Sequence, residues 1–377
     1  MVFIAQSCDL KAVAAAVSSV ISGKNAMPIL DNMLFSPDGD HIVVTGSDGD
    51  NSVYARLSIE EPVDLIPLLV PAKDFCDAVK HLGDMPATVD VDPKSFEMRI
   101  SDFMGDFCFM CSGTVSEYPQ RKSVANGTVF EAPADRLINS TALAMQYSGH
   151  DELRLIMNSV AYDMRSDGLR IVASDSKRLF ADVLSDVVVA EPVTAVVSSA
   201  LVKIVARLIK PSPDVRVKVS FDGKTVCFDT DGVTVMGRIV EGKYPRWEGV
   251  MPKNNSRHAV LNRKSLIAAI NRVSGSADSA TNAVRLEFDG SNSLKISARD
   301  IDFSKSSKVT MPTVSQTGFD GALVIGVKCS YLLGNLGSFA SENVVLMMSD
   351  ANRAILVKET SDGSRTTLVM PTQLQEY

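Results

Sequence analysis

The chain has 377 residues, 45% of them hydrophobic and 22% charged, and a formal net charge of −7. The length is ample for two or three hydrophobic cores, and the composition is ordinary for a globular protein. Apolar stretches such as Val187–Ala190 and Leu201–Ile209 fall far short of the roughly 20 residues a membrane span needs, and the acidic balance argues against nucleic acid unless the charge is unevenly placed.

The opening Met1-Val2-Phe3-Ile4-Ala5-Gln6 lacks a basic leader region and reads as a short strand, so no signal peptide is expected. Asp9-Leu10-Lys11 then opens an alanine-rich helix. Strands follow at Asn32–Phe35 and His41–Thr45, the second ending in Thr45-Gly-Ser-Asp48. The apolar run Leu68-Leu-Val-Pro71 enters a second helix, and the strand pair Thr88–Val91 and Phe96–Ile100 precedes the extended Glu117-Tyr-Pro119.

The same series then starts again. Asp135-Arg136-Leu137 opens a helix, and strands at Leu155–Asp163 and Leu169–Ala173 end in Ala173-Ser-Asp175. Val196-Val-Ser-Ser199 enters the next helix, and Val215–Phe221 pairs with Thr225–Asp229 ahead of Lys243-Tyr-Pro245. A third round runs from Arg263-Lys-Ser-Leu266 through Ala283–Phe288 and Leu294–Ala298, which ends in Ala298-Arg-Asp300. It continues through Val324-Ile-Gly326 and the pair Val344–Ser349 and Ala354–Glu359 to Val369-Met-Pro371.

Leu10, Leu137 and Leu266 mark the period, 127 and then 129 residues, which is the size of a whole domain. The expected fold is α+β: three copies of one domain, each with two helices and about eight strands, over residues 1–126, 127–254 and 255–377. Copies set side by side curve toward a closed ring, a shape suited to encircling something.

The charge is indeed uneven. The helical windows 8–24, 72–82, 134–149, 199–210, 263–276 and 327–340 hold twelve basic and four acidic side chains, a formal +8 that leaves −15 elsewhere. A basic helical face attracts phosphates without reading bases, and an acidic outer surface repels stray duplex. Trp247 is the one tryptophan, so arrays of aromatics for gripping single strands are absent.

Six scattered cysteines include Cys108-Phe-Met-Cys111, but no second pair or nearby histidine completes a tetrahedral site. They read as reduced, mostly buried thiols of a cytoplasmic protein. The sequence has no phosphate loop and no Gly-x-Ser-x-Gly elbow, and its four histidines are isolated. Neither enzyme, metal site nor cofactor is expected.

Four motifs carry a family resemblance. Met27-Pro-Ile-Leu-Asp-Asn32, Val172-Ala-Ser-Asp-Ser-Lys-Arg-Leu179, Val240-Glu-Gly-Lys-Tyr-Pro245 running on to Val250-Met-Pro-Lys-Asn254, and Leu368-Val-Met-Pro371 resemble, in register, signatures of bacterial sliding clamps. Along its full length the chain is similar to the β subunit of bacterial DNA polymerase III. The resemblance implies a head-to-tail homodimeric ring of six domains, with helices inside and sheets outside, that slides on double-stranded DNA. It implies as partners the polymerase catalytic subunit, an ATP-driven clamp loader and other proteins carrying short clamp-binding peptides.

By the same resemblance, the peptide groove uses Met157, Ser174, Ser176, Lys177, Arg178, Leu179, Pro245, Val250, Val369, Met370, Pro371 and Thr372. DNA contacts fall on Lys24, Lys73, Arg154 and Lys203, with Arg136, Arg207 and Lys264 behind them. At the ring joint, Phe107 and Phe109 match apolar first-domain positions, and Val273 faces them. Ser176-Lys177 stands where Gly-His is usual and Gly249 where an arginine is common, which implies a shift toward peptides with acidic flanks. Trp247 either packs beside the groove or covers the domain junction. Two alternatives stay open: a scaffold of the same fold that does not bind DNA, and a clamp encoded by a bacterial virus.

Overall fold

The computed structural model describes residues 1–22, 25, 27–120, 124, 127–151, 153–187, 189, 192–361 and 363–374. The described residues form six α-helices, two per repeat: α1 Ser7–Ser18, α2 Ala72–Lys80, α3 Ala134–Met145, α4 Ser199–Leu208, α5 Arg263–Ser274 and α6 Cys329–Gly337. Leu10, Leu137 and Leu266, which set the sequence period, are each fully buried at the start of their helices. On α1 the buried positions Leu10, Val13, Ala14 and Val17 follow helical spacing. The helix lies so close to the strand His41–Ser47 that a Cβ on Gly46 would fall 2.6 Å from Val17 Cγ1. The side-chain-free residue is what permits that approach.

The repeated aspartates have a common local job. Asp48 Oδ1 accepts the amides of Asp50 and Asn51 at 2.9 and 2.7 Å. Asp175 Oδ1 accepts those of Lys177 and Arg178 at 2.9 and 2.6 Å, and Asp300 Oδ1 that of Phe303 at 3.1 Å. Each carboxylate turns the chain out of one strand and into the next, an Asx-type turn made three times.

The chain packs as two compact units, Met1–Asn139 with Ala200–Val240, and Ser140–Ser199 with Glu241–Tyr377. Within the first unit an eight-stranded sheet takes Leu68–Pro71, Asn32–Asp38, His41–Ser47 and Asn51–Ser58 from the first repeat. It continues with Val233–Arg238, Thr225–Asp229, Arg216–Phe221 and Thr128–Pro133 from the second. The seam is antiparallel, with Val53 opposite Val235.

Within the second unit a nine-stranded sheet repeats the plan with the next pair of repeats. Val193–Ser198, Ser159–Arg165, Gly168–Ser174 and Arg178–Leu184 meet Arg365–Val369, Ile355–Glu359, Asn343–Met348, Arg257–Asn262 and Ser315–Thr317. The seam is again antiparallel, with Leu179 opposite Leu368. Two four-stranded sheets are left over. One runs Val2–Gln6, Pro86–Val91, Glu97–Asp102, Gly105–Met110; the other runs Lys305–Pro312, Ser293–Asp300, Ala283–Phe288, Leu323–Lys328.

Three local expectations fail. Leu155–Asn158 is turn rather than strand, closed by Met157 N donating to Arg154 O at 2.8 Å; its apolar look misleads, since Leu155 is exposed. The first helix stops at Ser18 rather than near residue 24. The cysteines are not mostly buried: Cys8 and Cys108 are exposed and only Cys329 is buried, though all six are free. Desolvation by burial pushes the Cys111 thiol up to about 12, so it stays protonated and is a poor metal ligand. Among the described residues no helix is long and apolar enough to cross a membrane.

Candidate functional site

The residues expected to form the peptide groove gather on the seam of the nine-stranded sheet. Side chains on a strand alternate between faces, so Leu179 and Ala181 share one face with Leu368, their neighbour across the seam. Ala161, Val172, Ala354 and Leu356 extend that face, and Tyr244, Trp247 and Met251 pack onto it. Trp247 therefore packs over this face, on which Leu179 and Leu368 are 2% and 3% exposed. Burying Leu179 and Leu368 in this way stabilises by about 1.5–3 kcal/mol each. Pro245, Val250 and Met370 stay exposed as an apolar rim.

Val369, expected in the groove, is instead fully buried in the core on the opposite face, with Ile355, Val357 and Leu332. A slip of one residue along a strand reverses the face, and Leu368 holds the position assigned to Val369.

Arg178 is held on every side. Its Nε donates to Asp175 Oδ2 at 3.0 Å and its Nη2 to Gln146 O at 3.0 Å. Its guanidinium lies between the rings of Tyr147 and Tyr331, 5.1 and 4.7 Å from their centroids. Ser174 Oγ donates to Arg178 O at 2.7 Å, and Met370 N donates to Lys177 O at 2.8 Å, tying the terminal segment to this turn. Thr372 N likewise donates to Gly326 O at 2.9 Å, fixing the chain beyond Pro371. Ser176 has φ 73°, the left-handed region that glycine adopts freely and other residues at a cost of about 1–2 kcal/mol. That is the physical sense of a glycine being usual in this motif.

Met157, Ser176 and Arg178 come together around a cleft of about 370 Å³ that also takes His150, Asp151, Arg154 and Tyr331. Arg154, expected on DNA, is thus grouped with the groove residues, and it pairs with Asp151 at 3.6 Å.

The remaining cations lie on helices. Lys203 and Arg207 stand one turn apart on the exposed face of α4, whose other face buries Leu201, Val202, Ile204 and Val205. Lys73 on α2, Arg136 in the first turn of α3 and Lys264 on α5 are exposed. Lys24 lies outside the described residues. Arg207 also lines a cleft of about 480 Å³ with Arg56, Lys210 and the small side chains Ala12, Ala15 and Ala16 of α1. The sequence reading missed Arg56, because it counted cations on helices and Arg56 sits on the strand Asn51–Ser58.

At the edge of the first leftover sheet, Phe107 is half exposed and Phe109 partly buried, with Phe103, Met104 and Met110 exposed nearby. Val273 does not face a partner: it is fully buried in the core beneath α5, where helical spacing puts it with Leu266 and Ile270.

Asp278, Asp300 and Asp302 bring ligand oxygens within 4.8 Å of one another. Asp278 and Asp300 each give an oxygen to turn amides, which accounts for their placement.

Serial repeats joined by inter-repeat sheets define a protein of repeated α+β units. The sequence matches the DNA polymerase III beta subunit in all its parts: the N-terminal domain over residues 1–107, the central domain over 129–246 and the C-terminal domain over 248–373. It is 26% identical over 366 residues to the beta sliding clamp of Pseudomonas putida, covering 95% of this chain and 96% of that one. Identity to the beta sliding clamp of Escherichia coli is 24% over 367 residues, with the same coverage. The structure is similar to that of the DNA polymerase III subunit beta from Pseudomonas aeruginosa, with a TM-score of 0.91 at 23% identity over 99% of this chain and 100% of that one. It is also similar to the Bacillus subtilis sliding clamp, at 0.89 and 20% identity over the whole of both chains. The chain belongs to the DNA polymerase III beta subunit family. It is a DNA sliding clamp, a processivity factor rather than an enzyme, and its partners are DNA and the polymerase.

Proposed function

We propose that two copies of this chain close head to tail into a cytoplasmic ring around duplex DNA, each copy contributing domains 1–126, 127–254 and 255–377. One regularity in the sheets carries the reading. The eight-stranded sheet joins the second to fifth strands of repeat one to the first strand and last three strands of repeat two, and the nine-stranded sheet joins repeats two and three by the same rule, with Ser315–Thr317 added at its edge. What remains is the first strand and last three strands of repeat one, and the strands Ala283–Phe288, Ser293–Asp300, Lys305–Pro312 and Leu323–Lys328 of repeat three, each set a four-stranded sheet. The strand equivalent to both seam strands is Gly105–Met110 in one and Lys305–Pro312 in the other. Pairing them between two chains would complete the third sheet and remove both open edges. The exposed Phe107 and Met110 supply apolar area, and Asp106 on one edge complements Lys305 and Lys308 on the other.

Within such a ring the helical cations Lys73, Arg136, Lys203, Arg207 and Lys264, with Lys24, meet phosphate without reading bases. The seam groove of Leu179, Leu368, Pro245, Val250 and Met370 takes the aliphatic or aromatic anchors of a short linear peptide, and Met157, Ser174, Ser176, Lys177, Arg178, Pro371 and Thr372 shape its ends. The polymerase catalytic subunit, an ATP-driven clamp loader and other replication or repair proteins dock there in turn. The test is the mass of the protein in solution by analytical ultracentrifugation, with Phe107→Asp beside the wild type. The reading expects a dimer that the substitution converts to monomer; a wild-type monomer, or a dimer untouched by the substitution, rejects it.

A further inference from the structure

The apolar face of the seam does not stop at the groove. Two residues along the strands from Leu179 and Leu368, and on the same face, Ala181 stands opposite Thr366. Two residues further on, Val183 N donates to Ser364 O at 3.3 Å. These four small or apolar side chains line a cleft of about 600 Å³ with Trp247 and Gly249. That is the size of a site for a ligand's side chains, and it runs straight on from the floor that carries Leu179.

Gly249 stands at this cleft without a structural need for glycine. A Cβ there would meet nothing within 4 Å, and its φ lies outside the left-handed region. Its effect is to leave the space beside Trp247 clear. The charge of the cleft is one-sided. Glu248 is spent on Arg165, whose Nη1 donates to its Oε1 at 2.8 Å. Lys253, also in the lining, is exposed and makes no ion pair among the described residues.

We propose that this cleft is a second subsite of the partner groove. It takes residues flanking the anchors of the same linear peptide: an apolar side chain packed against Trp247 and an acidic one at Lys253. The inference rests on the peptide-groove reading above. It locates the acidic preference at Lys253 as well as at Lys177, and it gives Gly249 a role.

Trp247 is the only tryptophan in the chain, so its fluorescence reports this cleft directly. Three tryptophan-free peptides are titrated into the full-length protein: a core with a Leu-Phe anchor pair, and that core extended by Asp-Ala-Leu at either end. One extended peptide should bind about tenfold tighter than the core, a gain of about 1.4 kcal/mol. It should also shift Trp247 emission to shorter wavelength by more than the core peptide does. In Gly249→Arg the extended peptide should bind no tighter than the core, and Lys253→Glu should lose most of the gain. If the core binds but neither extension improves on it or shifts the emission, the subsite is refuted while the groove stands. A gain that survives both substitutions refutes it too. If no peptide binds, the groove reading falls and takes this inference with it.

Discussion

Asp182 is the clasp behind the groove seam, and its loss should be costly. It is 2% exposed, opposite Arg365 in the strand pair that joins the second and third repeats. Arg365 Nε and Nη2 donate to Asp182 Oδ2 at 3.2 and 2.9 Å. Ser140 Oγ donates to the same oxygen at 2.6 Å, and Ser364 Oγ to Oδ1 at 2.6 Å. Arg365 is itself held, with Nη1 donating to Ser338 O at 2.6 Å. Asp182→Ala removes one partner of a buried pair and strands a guanidinium and two hydroxyls, which costs about 3–5 kcal/mol. For a unit of this size the thermal midpoint should fall on the order of 10 °C.

The ion pair also sets a pH dependence. Burial, the largest influence on the Asp182 carboxyl, pushes it up, but Ser140, Ser364 and Arg365 together hold it below the ordinary 3.8. A folded-state value below the unfolded one gives stability that is complete above the unfolded value and is lost as pH falls through the folded one. Wild type should therefore lose this contribution below pH 3.8, and Asp182→Asn should not show that loss. Calorimetry and urea unfolding across pH 2–7 measure both effects. A loss under 1 kcal/mol for Asp182→Ala at neutral pH would refute the account of the seam.

Val369→Ala should cost about 2 kcal/mol of stability, read by urea unfolding, and leave peptide affinity unchanged, because Val369 lies in the opposite core. Leu368→Asp should abolish peptide binding by calorimetry; the reverse pattern would restore the slipped register. Charging Lys203 and Arg207 to Glu should weaken DNA binding and flatten its dependence on salt, by about 0.9 in the log–log slope for each phosphate no longer neutralised. An unchanged slope would take α4 off the DNA. An acid-flanked peptide should bind Lys177→Ala more weakly than wild type by calorimetry, and equal affinities would remove Lys177 from recognition.

Much of this molecule is legible in the chain because the same physical devices recur three times. Leu10, Leu137 and Leu266 bury at the same point of each helix, and Asp48, Asp175 and Asp300 make the same turn. A motif resemblance keeps Ser174, Arg178 and Leu179 together, since they stand in one short turn and its flanking strands. It slips where strand alternation alone decides the face, as at Val369. It fails at Val273, because an apolar helix position looks the same whether it meets its own core or a partner. Arg56 escapes for a different reason: folding brings it beside Arg207 and Lys210, distant in the sequence, and no local pattern carries that information.

The central claim is that this chain closes around DNA. Negative-stain electron microscopy of the purified protein tests it most directly. The account predicts class averages of a closed ring with a pseudo-sixfold outline and a central hole wide enough for a duplex. Compact particles without a hole would contradict it.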